Sequence, residues 1–290
     1  MSVTRAAGSL VAHGVGTCPG CGLEIAFRSV VNTLGRRTIV VIPPGCAAVF
    51  SGYGRQTAVR IPGFQGNLGS TAAYASGIRA GLDAQGKHDV TVLGFAGDGA
   101  TVDIGWQALS GALERGDRIM YVCYDNEGYM NTGGQASGST TSGAVTTTTP
   151  GGKMGGGKDM LRLAAAHGIP YAATASVGYV DDLVLKANRA RDCGGPAYLH
   201  VHTPCPTGWG FDPDLTVEMA RLAVRSLSFN LVEVDRGRWR LTFRVRDRVP
   251  VSEYICRQGR FRHLPDEEVE RMQAGVTAAY AALEKMCAGQ

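Results

Sequence analysis

Two short patterns in this 290-residue chain are spaced to do chemistry together. Gly97-Asp98-Gly99-Ala100 offers a carboxylate between two glycines, and Asn126 follows Asp98 by 28 residues in Asp125-Asn126-Glu127-Gly128. A hard divalent cation takes oxygen ligands and usually keeps substrate phosphate oxygens in its shell. A carboxylate, a side-chain amide and a backbone carbonyl, here Asp98, Asn126 and Gly128, would supply three. A glycine-rich turn running into a helix near Asp103 would also aim backbone N–H groups at a diphosphate. Gly-Asp-Gly by itself reads more simply as a strand-to-helix turn with an Asp cap, but the second half at this spacing outweighs that reading. Other phosphate motifs fail. Gly152 to Lys158 has Walker-like spacing, but Asp159 stands where Ser or Thr is needed and no strand precedes it. No Gly-x-Gly-x-x-Gly opens a helix after a strand.

The eight cysteines form a second candidate set. Cys18-Pro19-Gly20-Cys21 is a lone C-x-x-C, compatible with half a zinc site, a dithiol or two iron ligands. Cys46 and Cys205 fall in loops that follow strand-like runs, so they could meet the first pair and complete a four-thiolate cage. Cys123 and Cys193 read as small buried hydrophobes, and Cys256 and Cys287 as plain thiols. Spacing leaves iron–sulfur, zinc and simple thiols all open.

The elements that must position these groups are legible as alternating strands and helices. Thr38–Ile42, Val90–Phe95, Arg118–Tyr124, Tyr171–Ala175 and Ala197–His202 read as buried strands. Helical patterns run from Leu68 to Leu82, opened by Ser70 or Thr71, and from Ile104 to Leu113, opened near Asp103. Residues 159–167 and 181–191 carry two more. This alternation predicts an α/β fold with a mostly parallel sheet covered on both faces. Pro43-Pro44-Gly45-Cys46, Gly97-Asp98-Gly99, Asp125 to Asn131 and Pro204-Cys205-Pro206 all follow strands. They therefore share the carboxyl edge, where open α/β sheets bind ligands. The Gly, Ser and Thr segment Gly133–Gly157 has no core pattern and is long enough to be functional or mobile. Leu231–Val234 and Trp239–Val245 around Asp235-Arg236-Gly237 predict a hairpin, and 266–286 a terminal helix. The chain therefore divides into 1–209, the α/β domain with its N-terminal cysteine segment, and 210–290, an arm for subunit contact.

Twenty-nine basic against 25 acidic residues give +4, too little to argue for nucleic acid. The charge is uneven: residues 221–262 hold eleven arginines and four acids, a local +7. No run of 18 apolar residues predicts a membrane span, and Met1 to His13 lacks the apolar core of a signal peptide. A cytoplasmic chain is expected, with its cysteines given to metal or redox use.

These residues resemble the β subunit of the 2-oxoacid:ferredoxin oxidoreductases, pyruvate synthase type. The likeness covers nearly the whole chain. It runs through Gly16-Thr-Cys-Pro-Gly-Cys-Gly22, Gly63-Phe-Gln-Gly-Asn-Leu-Gly69, Phe95 to Gly105, Tyr124 to Gly133, Thr146 to Lys153, Thr203 to Trp209 and Gln258-Gly-Arg-Phe-Arg-His-Leu264. It departs at Gly133-Gly134-Gln135, where many relatives carry Gly-Ile-Gln or Gly-Asn-Gln. The resemblance implies a thiamine diphosphate-binding fold, with Gly45, Cys46, Gly97, Asp98, Gly99, Ala100, Asn126, Gly128 and Asn131 around the cofactor. It implies magnesium on Asp98, Asn126 and the Gly128 carbonyl, Asn131 over the reactive ring, and a 4Fe-4S cluster on Cys18, Cys21, Cys46 and Cys205. The implied reaction is coenzyme A-dependent oxidative decarboxylation of a 2-oxoacid, pyruvate first, running reversibly. Implied partners are an α-type subunit carrying the pyrimidine-facing glutamate, γ and δ ferredoxin-like subunits or domains, and ferredoxin as acceptor. Glu24 resembles a glutamate that approaches the cofactor, and reads equally well as a helix-start carboxylate. The alternatives are the same chemistry on 2-oxoisovalerate, oxalate or an aryl 2-oxoacid, or a non-catalytic, zinc-stapled interaction subunit.

Overall fold

The computed structural model describes residues 8–52 and 56–289. The first seven residues, part of the segment read above for a leader, lie outside them. Among the described residues eight strands form one sheet: β1 (Thr38–Ile42), β2 (Gly63–Gln65), β3 (Thr91–Gly97), β4 (Met120–Asp125), β5 (Tyr171–Ser176), β6 (Ala197–His202), β7 (Val232–Asp235) and β8 (Arg238–Leu241). Their order is β2-β1-β3-β4-β6-β5-β7-β8. The first six positions in that order are parallel, and β7 and β8 are antiparallel additions.

Burial on both faces explains the β-branched runs. Within β1, Val40 and Ile42 join one apolar cluster while Val41 joins the other, so successive residues feed opposite layers. The helices Gly22–Leu34 and Val180–Asp192 cover the first face, with Phe27, Val30 and Val31 fully buried. The helices Thr71–Ala84, Trp106–Glu114 and Met160–Ala165 cover the second.

Residues 210–290 do not stand off as an arm. Strand β7 pairs antiparallel with β5, and Val232, Val234, Leu241, Tyr280 and Leu283 are buried in the second cluster. The hairpin turn is Arg236-Gly237, both at positive φ (46° and 81°), as a two-residue connection of this type requires. Because Asp235 pairs with Tyr171 at the start of β5, this turn lies at the amino edge of the parallel strands. A third cluster around Trp209, Met219, Leu222, Tyr254 and Phe261 fastens the rest of the segment beside the carboxyl edge. The expected boundary at 209/210 therefore cuts through one packed unit.

Candidate cofactor site at the carboxyl edge

Strand order reverses between β1 and β3, because the chain moves outward from β1 to β2 and returns past β1 to β3. A crevice opens at such a point. A cleft of about 110 Å³ lies there, lined by Gly45 and Cys46 after β1, Gly97 to Ala100 after β3, and Asn126 and Gly128 to Thr132 after β4. The nine residues expected around the cofactor, Glu24 apart, are in that lining, Asn131 as an exposed residue at the rim. Pockets that engulf a whole organic ligand are about 300–1,000 Å³, so this cleft suits one end of a cofactor. A larger cleft of about 1090 Å³ beside the hairpin, lined by Arg189, Arg236, Arg238 and Arg240, gathers none of the motif residues.

The inner end of the Asn126 amide stands 2.9 Å from the Gly128 carbonyl oxygen and 3.0 Å from Asp98 Oδ1. Octahedral magnesium holds its ligands at about 2.1 Å, so neighbouring ligand oxygens are about 3.0 Å apart. With the amide oxygen inward, Asn126 has that spacing to both other groups, and the three could hold the ion. Asp98 is fully buried, and Ser137 Oγ donates to its Oδ2 at 2.5 Å. Burial, and then the nearby Asp125 carboxylate, push the Asp98 carboxyl well above its usual range. A bound cation would reverse that shift. Asp125 itself is held low: burial opposes ionisation, but the His200 imidazole, 2.7 Å away, outweighs it.

The turn that presents Asn126 and Gly128 is strained and heavily braced. Glu127 has φ 59°, left-handed for a non-glycine residue. Its N–H donates to Asp125 Oδ1 at 2.8 Å, and its carboxylate accepts from Thr141 Oγ1 and pairs with Arg260 at 2.8 Å. Arg260 in turn lies over the Trp209 ring at 4.0 Å, and Trp209 Nε1 donates to the Asn126 carbonyl at 2.8 Å. At Gly99 any Cβ would come within 2.4 Å of the Tyr129 ring, so the backbone there approaches as closely as only glycine permits. Segment 133–157, without a core pattern in sequence, is an ordered strap. Ser137 reaches Asp98, Thr140 donates to the Glu127 carbonyl at 2.7 Å, and Lys153 donates to the Thr140 carbonyl at 2.6 Å.

The four cysteines converge at the same edge. Cys21 is pushed up to about 11 by burial, with added repulsion from Cys205 and Cys18. Cys46 rises to about 12 by burial, then by Cys205, Cys21 and Cys18. Gly22 N donates to the Pro204 carbonyl at 3.3 Å, and a Cβ on Gly22 would stand 2.8 Å from that oxygen, so the C-x-x-C turn is fastened to the Cys205 loop. Among the described residues no three His, Cys, Asp or Glu side chains are grouped closely enough to hold a single metal ion. Cys18, Cys21 and Cys205 nonetheless all raise the Cys46 thiol, so each lies within electrostatic reach of it. Glu24 is not in the cleft lining. It accepts from Thr17 Oγ1 at 2.6 Å and from Arg28 Nε at 2.7 Å, so the structure supports the helix-start reading.

A family model described as "Thiamine pyrophosphate enzyme, C-terminal TPP binding domain" matches residues 44–201, more than half of the chain. "Pyruvate synthase subunit PorB" of Methanothermobacter thermautotrophicus is 49% identical over 268 residues, 91% of this chain and 93% of that protein. The chain belongs to the thiamine pyrophosphate-binding subunits of the 2-oxoacid oxidoreductases. Within this oxidoreductase family, "Ketoisovalerate oxidoreductase subunit VorB" of Pyrococcus horikoshii is 41% identical over 93% of this chain and 90% of its own length. "NADH-dependent phenylglyoxylate dehydrogenase subunit beta" of Aromatoleum evansii is 39% identical over 96% of this chain and 64% of its own. A 2-oxoglutarate:ferredoxin oxidoreductase structure from Magnetococcus marinus shares the fold, with a TM-score of 0.59 over 73% of this chain and 79% of that one, at 22% identity. No helix among the described residues is long and apolar enough to cross a membrane.

Three residues bracing the subunit's site carried no role in the sequence reading: Ser137, Trp209 and Arg260. Trp209 and Arg260 sat inside quoted motifs, which was the available signal. Ser137 lay in a segment whose composition said only that it was not core.

Proposed function

We propose that this chain is the catalytic cofactor-binding subunit of a 2-oxoacid:ferredoxin oxidoreductase acting on pyruvate. The reaction is coenzyme A-dependent and reversible, with low-potential electrons leaving through a 4Fe-4S cluster. The observation that carries it is the convergence of Asp98, Asn126 and Gly128 oxygens with Cys18, Cys21, Cys46 and Cys205 at one sheet edge. Identity of 49% to a pyruvate synthase subunit favours pyruvate. The relatives named for ketoisovalerate and phenylglyoxylate keep those acids as the second reading.

In this reading Asp98, Asn126 and the Gly128 carbonyl would hold magnesium beside the diphosphate of thiamine diphosphate, which would supply the electron sink for decarboxylation. The chain's own residues orient and enclose. Ser137 fixes the Asp98 carboxylate by donating to Oδ2, leaving Oδ1 turned to Asn126. Gly99 and Ala100 line the cleft, where their backbone would meet the diphosphate. Asn131 stands exposed at the rim, where it would meet the reactive part of a bound cofactor. The cleft's small volume leaves the remainder of the cofactor to an α-type subunit that closes over the carboxyl edge and brings the pyrimidine-facing glutamate. Ferredoxin-like γ and δ components and ferredoxin then take the electrons. The basic hairpin turn lies at the opposite edge, so its contacts are with a different part of the assembly.

The test is purification of the native assembly without air, followed by dye reduction across a panel of 2-oxoacids with coenzyme A. Pyruvate should give the highest kcat/KM, and the chain alone, reconstituted with iron, sulfide, magnesium and thiamine diphosphate, should not turn over. Comparable turnover by the chain alone would defeat the shared-site reading. Stoichiometric zinc in place of iron would favour the interaction-subunit alternative.

A further inference from the structure

Asn126 has a second end. Its inner end meets Gly128 and Asp98; its outer end lies 4.0 Å from Cys46 Sγ, and with oxygen inward Nδ2 donates to that sulfur. Cys46 lines the cleft beside Asp98 and Asn126, and lies within electrostatic reach of Cys18, Cys21 and Cys205. One side-chain amide thus spans the cation position and the cysteine group.

The two orientations of that amide are chemically opposite. With nitrogen inward, the NH2 group donates to the Gly128 carbonyl at 2.9 Å and to Asp98 Oδ1 at 3.0 Å, and the amide oxygen turns toward Cys46. With oxygen inward and the Asp98 carboxyl ionised, three acceptors converge with no proton between them, an arrangement that a cation makes favourable. The metal-free site with Asp98 ionised therefore keeps nitrogen inward, and a bound cation selects oxygen inward. The second state sends an N–H donor to Cys46, and the first sends a lone pair.

We propose that a divalent cation in this triangle sets the Asn126 amide and, through the N–H···S hydrogen bond to Cys46, raises the reduction potential of the cluster those cysteines hold. This inference rests on the metal and cluster assignments of the proposed function. Hydrogen bonds to ligand sulfur favour the reduced, more negative cluster. By linkage, a reduced cluster then binds the cation more tightly, by the same factor. Loading the diphosphate site and readying the electron acceptor become one event, with no moving segment between them.

The experiment uses the full chain reconstituted with iron and sulfide. Dithionite titrations followed by EPR compare Mg2+ with EDTA, while calorimetry reports Mg2+ binding. The expected result is a higher cluster potential with Mg2+. An exchangeable proton coupled to the reduced cluster in pulsed EPR should be present with Mg2+ and absent with EDTA. Asn126→Asp keeps an oxygen for the cation and has no donor. It should bind Mg2+, lack the exchangeable coupling and show a smaller Mg2+-dependent rise. Equal wild-type potentials with and without bound Mg2+, or a full rise in Asn126→Asp, would overturn the coupling while leaving the site assignments standing. A chain with no cluster signal, or with no Mg2+ heat, would overturn those assignments and the coupling with them.

Discussion

Removing Arg260 should unlock the cofactor turn at a cost that the structure lets one work out. Its side chain is 3% exposed and that of its partner Glu127 11%. Arg260→Ala therefore strands a mostly buried carboxylate, a change that costs about 3–5 kcal/mol when one partner of a buried pair is deleted. The stacking over Trp209 is lost as well, within the upper part of that range. At an unfolding entropy of about 2.1 cal/mol/K per residue, 290 residues give about 0.6 kcal/mol/K, so the melting temperature should fall by about 5–8 °C. The unpaired charge is the main term, so Glu127→Gln in the Arg260→Ala background should recover most of the loss. Differential scanning calorimetry of wild type, both single variants and the double variant closes the cycle. A drop under about 1 °C in Arg260→Ala, or no recovery in the double variant, would refute the argument that the pair holds the Glu127 turn.

Three further outcomes follow from the same geometry. Asp98→Ala deletes one corner of the oxygen triangle and should raise the Mg2+ concentration needed for half-maximal activity at least about 100-fold, since even outer partners of metal ligands cost 10–100-fold; a magnesium titration of turnover reads it. Cys205→Ser should lose iron and sulfide while Cys287→Ser keeps both, measured by metal analysis after anaerobic reconstitution. Burial holds His202 down to about 3 from its usual 6.5, so below pH 6.5 the unfolded chain binds a proton that the folded chain refuses. Stability should therefore be full above pH 6.5 and fall through the acid range, by about 2 kcal/mol at pH 5 relative to pH 8. Urea unfolding at the two pH values should show that difference reduced in His202→Phe.

Strands β1 and β6 were legible to the residue, because an uninterrupted apolar run bounded by turn residues admits little else. The three-residue edge strand β2 was not, since all its residues are exposed and no pattern distinguishes them from loop. The helix Gly22–Leu34 was touched only through Glu24 as a helix-start carboxylate and its span was not read, although Leu23, Ala26, Phe27, Val30, Val31 and Leu34 repeat at helical spacing. The hairpin showed itself through local alternation. Its pairing with β5, some 60 residues earlier, is a non-local choice that alternation cannot express. The same limit divides the site: Asp98, Asn126 and Gly128 lie in two local motifs, whereas Ser137, Trp209 and Arg260 act through contacts that only the folded chain defines.

The brace from Arg260 to Glu127 has a consequence for how the protein is made. The ribosome releases Glu127 long before Arg260, and at about 5–20 residues per second the separation of 133 residues takes roughly 7–27 s. During that interval the nascent chain can lay down its parallel strands, yet the left-handed turn at Glu127 has no guanidinium to hold it. Products of early termination, however complete their motifs, would lack the part that keeps Asn126 and Gly128 in place. Competence for the cofactor thus arrives only once Arg260 has emerged, so a chain broken before it is screened from loading by the order in which its residues emerge.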